Sequence, residues 1–445
     1  MKKIVLLTAG IMLVGGALFP DVTPAAESKV MTVGEAVQTA LENNPAMREA
    51  EENIAAAREG IRSARADRLP TVSLGYGYTA LKEKPIFKKF NDAQGAHQDT
   101  YNWSVTVVQP LFAGFALDAQ HQIAKLDTAT RQLEKEQAVL DIARNTKAAC
   151  YNLLLTQKLL QVSEEEVATL TAHKAEAEQF HSEGLIPLND QLRAEVALAN
   201  AVQNRENARA NVEKAVLSLN RLLDRPLADD LTLKNETERS VEIESDPQAF
   251  DLDILGTRAA DQRPILKLLG VSIKKLGFAK KAAQSDWYPH VSLVGSLAHT
   301  GENYTADSND YSDDDESYVA VTLDWKLWRS GKTVAEVNRT KRQMKSLEAR
   351  MAAYRTQVQE EVRGALLDCQ VARANIATAQ KALDQAHENW RITEIQYQNQ
   401  AATSSDVLDA RTFLTQADSN YYRSVYGYMN ALAGLEWAAG DRITR

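Results

Sequence analysis

Two cysteines among 445 residues, Cys150 and Cys369, are too few for a disulfide scaffold. Both fall within long helical stretches, at similar depth from the helix starts. An oxidising compartment would let them pair, but the plainer reading makes them small buried residues of a helix bundle. Histidine is also scarce. His97, His121, His173, His181, His290, His299 and His387 form no H-x-x-x-H pair. There is no G-x-S-x-G, no phosphate-cradling loop and no dinucleotide fingerprint. An enzyme is therefore not expected, nor a cofactor or a bound metal. His173 and His181 sit eight apart on one helix, and the pattern reads them as exposed. A formal net charge of −9 without a basic patch argues against nucleic acid. Beyond the first twenty residues, no apolar run is long enough for a transmembrane helix.

What the chain does have begins with MKKIVLLTAGIMLVGGALFP. Lys2 and Lys3 precede an apolar core over Ile4–Leu18, short for a spanning helix and suited to a secretory signal. The expected leader is 1–26, ending near Ala25–Ala26. No cysteine follows the apolar core, so processing as a lipoprotein is not expected.

The remainder repeats itself. LPTVSL (69–74) matches YPHVSL (288–293), VTVVQPLF (105–112) matches VTLDWKLW (321–328), and GLIPLNDQLRAE (184–195) matches QAATSSDVLDAR (400–411). The offsets are 219, 216 and 216, in the same order along the chain. Asp190 and Asp406 thus hold equivalent positions. Each half reads as helix, strand, long loop, strand, very long helix, turn, helix. The first half (27–224) places these at 33–68, 70–80, 101–109, 114–183 and 188–224. The second (261–440) places them at 261–287, 289–299, 317–326, 332–400 and 404–438. An irregular, acidic insert carrying Pro226 and Pro247 joins them over 225–260, with room for short helices, and 441–445 is a tail.

Val337, Met344, Met351, Val358, Ala365, Ala372, Ala379 and Ala386 recur every seven residues, as do Leu126, Leu133 and Leu140. A heptad seam predicts supercoiled helices, and its turn to alanine suits a tapering bundle. A helix of about seventy residues spans roughly 100 Å, which suits a conduit across an aqueous compartment better than a globule.

The strands alternate. Val72, Leu74, Tyr76 and Tyr78 share one face; so do Trp103, Val105 and Val107; Val291, Leu293 and Leu297; and Val319, Val321, Leu323 and Trp325. The opposite face is small or polar. Strands of about ten residues with this dyad are those of an outer-membrane barrel. Four strands leave two open edges, and unpaired backbone groups cost several kcal/mol each in lipid. The barrel must therefore be shared between chains. Two chains give eight strands and a filled interior; three give twelve and a passage, which the Gly, Ser and Thr of the inner face favour. At the outer end one loop carries Lys82, Lys84, Lys88 and Lys89, and the other Asp307, Asp310, Asp313, Asp314, Asp315 and Glu316. Solvated loops are the plain reading; a basic loop meeting an acidic neighbour, or divalent cations cross-linking the latter, is the sharper one.

LPTVSLGYGY, QPLFAGF, FHSEGLIPLND and YQNQAATSSDVLDA, taken in order with the repeat, resemble the TolC family of outer-membrane efflux proteins over essentially the whole mature chain. The resemblance implies a mainly α fold with a membrane β-barrel. A homotrimer would build a twelve-stranded barrel above a coiled-coil tunnel. It implies an outer-membrane location reaching into the periplasm, and a periplasmic adaptor and an inner-membrane transporter (proton-driven or ABC) as partners, with a passive export role. It also implies a gate at the periplasmic tip. Asp406 and Asp409 match the inward-facing acidic rings, Tyr397 the restraining tyrosine, and Asp190 its partner. Gly184 and Leu185 match an adaptor-docking turn, repeated less typically as Gln400 and Ala401. Ala402 stands where some members carry a restraining arginine. In a threefold ring with carboxylates about 7 Å apart, each like-charge pair costs roughly 2 kcal/mol, so raised carboxylate pKa values or bound cations are expected. Protein secretion of type I competes with small-molecule efflux as the cargo. A periplasmic coiled-coil scaffold explains the heptads but not the four apolar-faced strands.

Overall fold

A computed structural model of the chain describes residues 30–83, 86–87, 93–94, 98–234, 251–309 and 313–440. The leader, the tail, His97, and Lys84, Lys88, Lys89 and Asp310 of the outer loops lie outside them. In order, the elements are β1 (Val30–Met31), α1 (Val33–Asn43), α2 (Pro45–Ala66), β2 (Thr71–Ala80), β3 (Ile86–Phe87), β4 (Ala93–Gln94), β5 (Asp99–Ala113), α3 (Ala116–Ser182), α4 (Leu188–Leu222), β6 (Thr232–Leu233), α5 (Leu252–Gln262), α6 (Pro264–Gln284), β7 (His290–Gly301), β8 (Asp315–Asp324), α7 (Lys332–Gln398) and α8 (Ser404–Ala439).

The two long helices, α3 and α7, have 67 residues each, and α4 and α8 return along them for 35 and 36. Every heptad position from Val337 to Ala386 is buried or half-buried, as are Leu126, Leu133 and Leu140, so the seam faces other helices. One core cluster binds the helices together. Leu153, Leu219, Leu223, Tyr426, Tyr428 and Leu435 are its largest fully enclosed side chains, each buried leucine worth about 2 kcal/mol of transfer energy. Cys150 and Cys369 belong to the same cluster as free thiols, and burial pushes both up to about 12. They are small buried residues rather than a disulfide.

Two helices expected to be continuous are broken, each at a proline. The span 33–68 divides at Asn44–Pro45. Proline has no N–H for the helix ladder, and Asn44 caps the new helix by accepting from the Ala46 N–H at 2.9 Å. The same asparagine donates to the Leu222 carbonyl at 2.9 Å and ties this break to the end of α4. The span expected from 261 begins earlier, at Leu252 behind an Asp251 cap. It breaks at Arg263–Pro264, and α6 ends in a 3-10 turn, Ser285–Trp287. Arg263 anchors that break: it donates to the Trp437 carbonyl at 2.8 Å, pairs with Glu361 at 2.8 Å and stacks 4.0 Å over the Trp437 ring.

Four strands form one antiparallel sheet in the order β2-β5-β7-β8. Its middle pair, β5 and β7, comes from different halves of the chain. Its register puts Val72, Val107, Gly295 and Val319 in line, and likewise Leu74, Val105 and Leu297. Tyr76 pairs with Trp103, Leu293 with Val321, and Val291 with Leu323. All the expected lipid-facing residues therefore share one face. Much of it is bare, with Val72 at 67%, Leu74 at 75% and Val319 at 78% exposure. β5 runs longer than expected because a bulge between Pro110 and Phe112 lets pairing continue past the proline.

Apart from Ala306 in the outer loop, the described chain enters the left-handed region at Gly114, Phe115, Gly184 and Asp224, and again at Ser330, Gly331, Gln400 and Gly440. Each residue of the second set lies at the same separation from its counterpart in the first.

Candidate gate at the helical tip

Both helical hairpins turn in the same way. The Leu185 N–H donates to the Phe180 carbonyl at 2.8 Å and the Gly184 N–H to His181 at 2.9 Å. In the second hairpin Ala401 donates to Gln396 at 2.7 Å and Gln400 to Tyr397 at 2.9 Å. This double bond pattern is the Schellman C-cap, which needs a left-handed residue at its corner. Gly184 supplies it freely with φ 76°, whereas Gln400 adopts φ 59° against the steric cost of its Cβ. Gly184, Leu185, Gln400 and Ala401 are all exposed. Leu185, Leu188, Leu192 and Val196 continue an exposed apolar row up α4.

Beyond the second turn, Thr403 caps α8. Its hydroxyl accepts from the Asp406 N–H at 3.2 Å, and the Asp406 carboxylate accepts from the Thr403 N–H at 2.8 Å and hydroxyl at 2.7 Å. This reciprocal box sets the helix start at Ser404, where it was expected, with Thr403 as its cap. Within one chain its effect on Asp406 is to favour the charged form. The Thr403 side chain, then its backbone N–H, hold the Asp406 carboxyl below the usual carboxylate range. Asp406 and Asp409 are both exposed on one face of α8. Arg411, nearby in sequence, does not answer them. It is buried and turned toward the Trp390 ring, 5.9 Å away.

Tyr397 lies inside the tip, 2% exposed. Its ring packs against His173 at 4.9 Å and Phe180 at 5.5 Å. Burial, then the charges of Glu176 and Asp190, push its phenol up to about 12. Asp190 is thus its electrostatic neighbour, yet the hydroxyl has no hydrogen-bond partner among the described residues. Glu176 is itself pushed up by burial and by Glu394.

His173 departs from expectation. It is 4% exposed, and Nε2 lies 2.9 Å from the Ser404 hydroxyl, joining α3 to the first turn of α8. Burial pushes its imidazole down to about 4. Helical spacing from His181 gave no hint of this, because α3 is flanked by other helices at that height. His181 is half-buried, with Nδ1 3.1 Å from the Ile186 carbonyl. Neither His173 nor Ser404 was legible as a site residue.

A bare-faced sheet set on two long helical hairpins, closed at a tip of buried aromatics and exposed acids, has close relatives. The family described as outer membrane efflux protein matches residues 36–225 and 257–441. The chain belongs to that family. It is 21% identical to outer membrane protein TolC of Escherichia coli K12, covering 99% of this chain and 87% of that protein. TolC of Salmonella enteritidis is also 21% identical, with 99% and 86% covered. The fold of this chain is that of solved outer membrane channels. The Campylobacter jejuni CmeC outer membrane channel superposes with a TM-score of 0.76 at 16% identity, over 93% of this chain and 87% of that one. The open state of the Neisseria gonorrhoeae MtrE outer membrane channel gives 0.74 at 17%, over 93% and 90%.

Proposed function

We propose that three copies of this outer membrane efflux protein assemble into one exit duct, a twelve-stranded barrel in the outer membrane above a helical tunnel through the periplasm. The observation that carries the reading is the sheet: one apolar face bare, and the outer strands β2 and β8 each with an open edge. An open edge in hydrocarbon leaves a row of backbone groups unsatisfied, so β2 of one copy pairs with β8 of the next until the ring closes. A periplasmic scaffold would have no use for such a face. The constant spacing of the left-handed positions supports a duplicated chain plan, with halves 27–224 and 261–440 on either side of the insert 225–260.

In this duct the tip is the gate. Threefold symmetry gathers Asp406 and Asp409 into rings, with Tyr397 and Asp190 inside the wall. The exposed turns at Gly184–Leu185 and Gln400–Ala401 dock a periplasmic adaptor, which with an inner-membrane transporter pulls the tip open. The duct itself is passive, and the transporter sets the cargo. The test is direct. Detergent-purified protein should have the mass of three chains and give discrete, cation-preferring conductance steps in a planar bilayer. A water-soluble monomer that gives no steps would overturn the reading.

A further inference from the structure

The geometry points to a phospholipid site at the base of the barrel, between the start of α3 and the end of α6. A cleft of about 370 Å3 opens there, walled by Phe115, Phe278, Trp287 and Tyr288, with Lys281 and Asp118 among its polar groups. That volume lies at the lower end of the range for small-ligand clefts. The cleft continues the apolar face of the sheet. Phe112 pairs with Val291 on that face, and its ring meets Phe115 edge-on at 5.2 Å. Tyr288 meets Phe115 in the same way at 5.6 Å.

Phe115 is the telling residue. Its backbone sits at φ 67° in the left-handed region, where a bulky side chain is uncommon and strained. The residue is 55% exposed, so little burial offsets that strain within the chain. The other half provides the control: the same helix start is made by Gly331 at φ 79°. The turn therefore needs no ring, and strain kept at an exposed aromatic marks a contact made with something else. Gly114 fixes the turn in place, since a Cβ there would collide with the Ser285 carbonyl.

Charge selects the occupant. Asp118 is engaged by Arg68 at 2.7 Å, which leaves Lys281 as the net charge of the cleft. Its ammonium lies 5.2 Å from the Phe278 ring. An apolar wall continuous with the lipid-facing sheet, and a cation at its periplasmic rim, fit a glycerophospholipid. Its phosphate meets Lys281, and an acyl chain lies over Phe115 and up the face past Phe112. Position keeps the site open in the assembly. β5 and β7 are the middle strands of the sheet, away from the edges where sister copies pair. The inference rests on the barrel reading above.

Native mass spectrometry of the detergent-purified trimer would test it, with phosphatidylglycerol and a diacylglycerol of the same chains as probes. The wild type should hold phosphatidylglycerol about tenfold more tightly, the worth of one charge-assisted contact. Lys281→Gln should abolish that preference. Phe115→Gly should weaken both lipids without lowering thermal stability, since it relieves backbone strain. Trp328→Ala removes an exposed aromatic outside the cleft and should change neither. A trimer that enters vesicles but holds both lipids alike, or whose variants bind as the wild type does, overturns the lipid site alone. A chain that stays monomeric and outside vesicles overturns the barrel and the lipid site together.

Discussion

His173 on α3 and Ser404 on α8 are joined at 2.9 Å inside the helical tip, although 231 residues separate them in the chain. This buried link, beside a longer one from Arg193 to the Ser405 hydroxyl at 3.4 Å, ties the second hairpin to the first within one chain. Removing either partner leaves the other buried and unsatisfied, at a cost of about 1–3 kcal/mol. His173→Ala and Ser404→Ala should each speed hydrogen exchange in the first turn of α8. The double variant should cost less than the sum of the two. Strict additivity would mean that the pair does not couple.

The same histidine makes the tip sensitive to acid. Its folded value is depressed from 6.5 to about 4, so on acidification the unfolded segment binds a proton that the folded one refuses. Its stabilising share is whole above about 6.5 and drains away as pH falls toward about 4. Glu176 acts oppositely, because burial and Glu394 raise it above 4.5, and its protonation offsets the loss at the lower end. Tyr397, pushed up to about 12, stays neutral throughout. Protection of the amides at the start of α8, taken relative to their intrinsic exchange rates at each pH, should therefore be lower near pH 5 than near pH 7, with a slope that His173→Gln flattens.

Asp406 and Asp409 must be separated experimentally, because only Asp406 closes the capping box with Thr403. Asp406→Ala should loosen the helix start, read as faster exchange of its first-turn amides, as well as remove any ring charge. Asp409→Asn should leave the helix start intact and still lower cation preference, read from reversal potentials in a planar bilayer. If Asp409→Asn leaves selectivity untouched, Asp409 forms no ring, and if Asp406→Ala loosens the helix start without altering selectivity, Asp406 is a cap alone.

The large elements were legible because their signals are periodic. Heptads from Val337 to Ala386 and the alternation of Val72, Leu74 and Tyr76 each fix a face, and the faces lie where the patterns put them. The helix breaks were signalled by Pro45 and Pro264, whose missing N–H groups end a ladder, but apolar spacing ran through both and hid them. The tip divided differently. Asp406, Asp409 and Tyr397 were visible through a motif. His173, Phe180 and Ser404 were not, since their meeting depends on how α3 crosses the second hairpin, and no local spacing encodes that.

The two turns offer an internal exchange. Gly184 and Gln400 occupy the same left-handed corner of the same hydrogen-bonded turn, and only one of them is glycine. Gln400→Gly should stabilise the second turn by about 1 kcal/mol, and Gly184→Ala should loosen the first by a similar amount. A Cβ at Gly184 would touch nothing, so that loss reports backbone strain alone. Exchange of the Ala401 and Leu185 amides would measure both.

Tyr397 decides between two accounts of the gate. Its hydroxyl is buried with no partner among the described residues, beside the charges of Glu176 and Asp190. An unsatisfied buried hydroxyl costs about 1–3 kcal/mol, so in an isolated chain Tyr397→Phe should tighten the tip. If assembly shifts the helices so that Asp190 accepts the phenol proton, the same substitution should loosen the closed state and raise basal conductance. The bilayer measurement on Tyr397→Phe therefore carries a sign. A rise in basal current supports a Tyr397–Asp190 restraint formed in the trimer, while an unchanged or lower current leaves the His173–Ser404 link as the fastening and Tyr397 as packing for it.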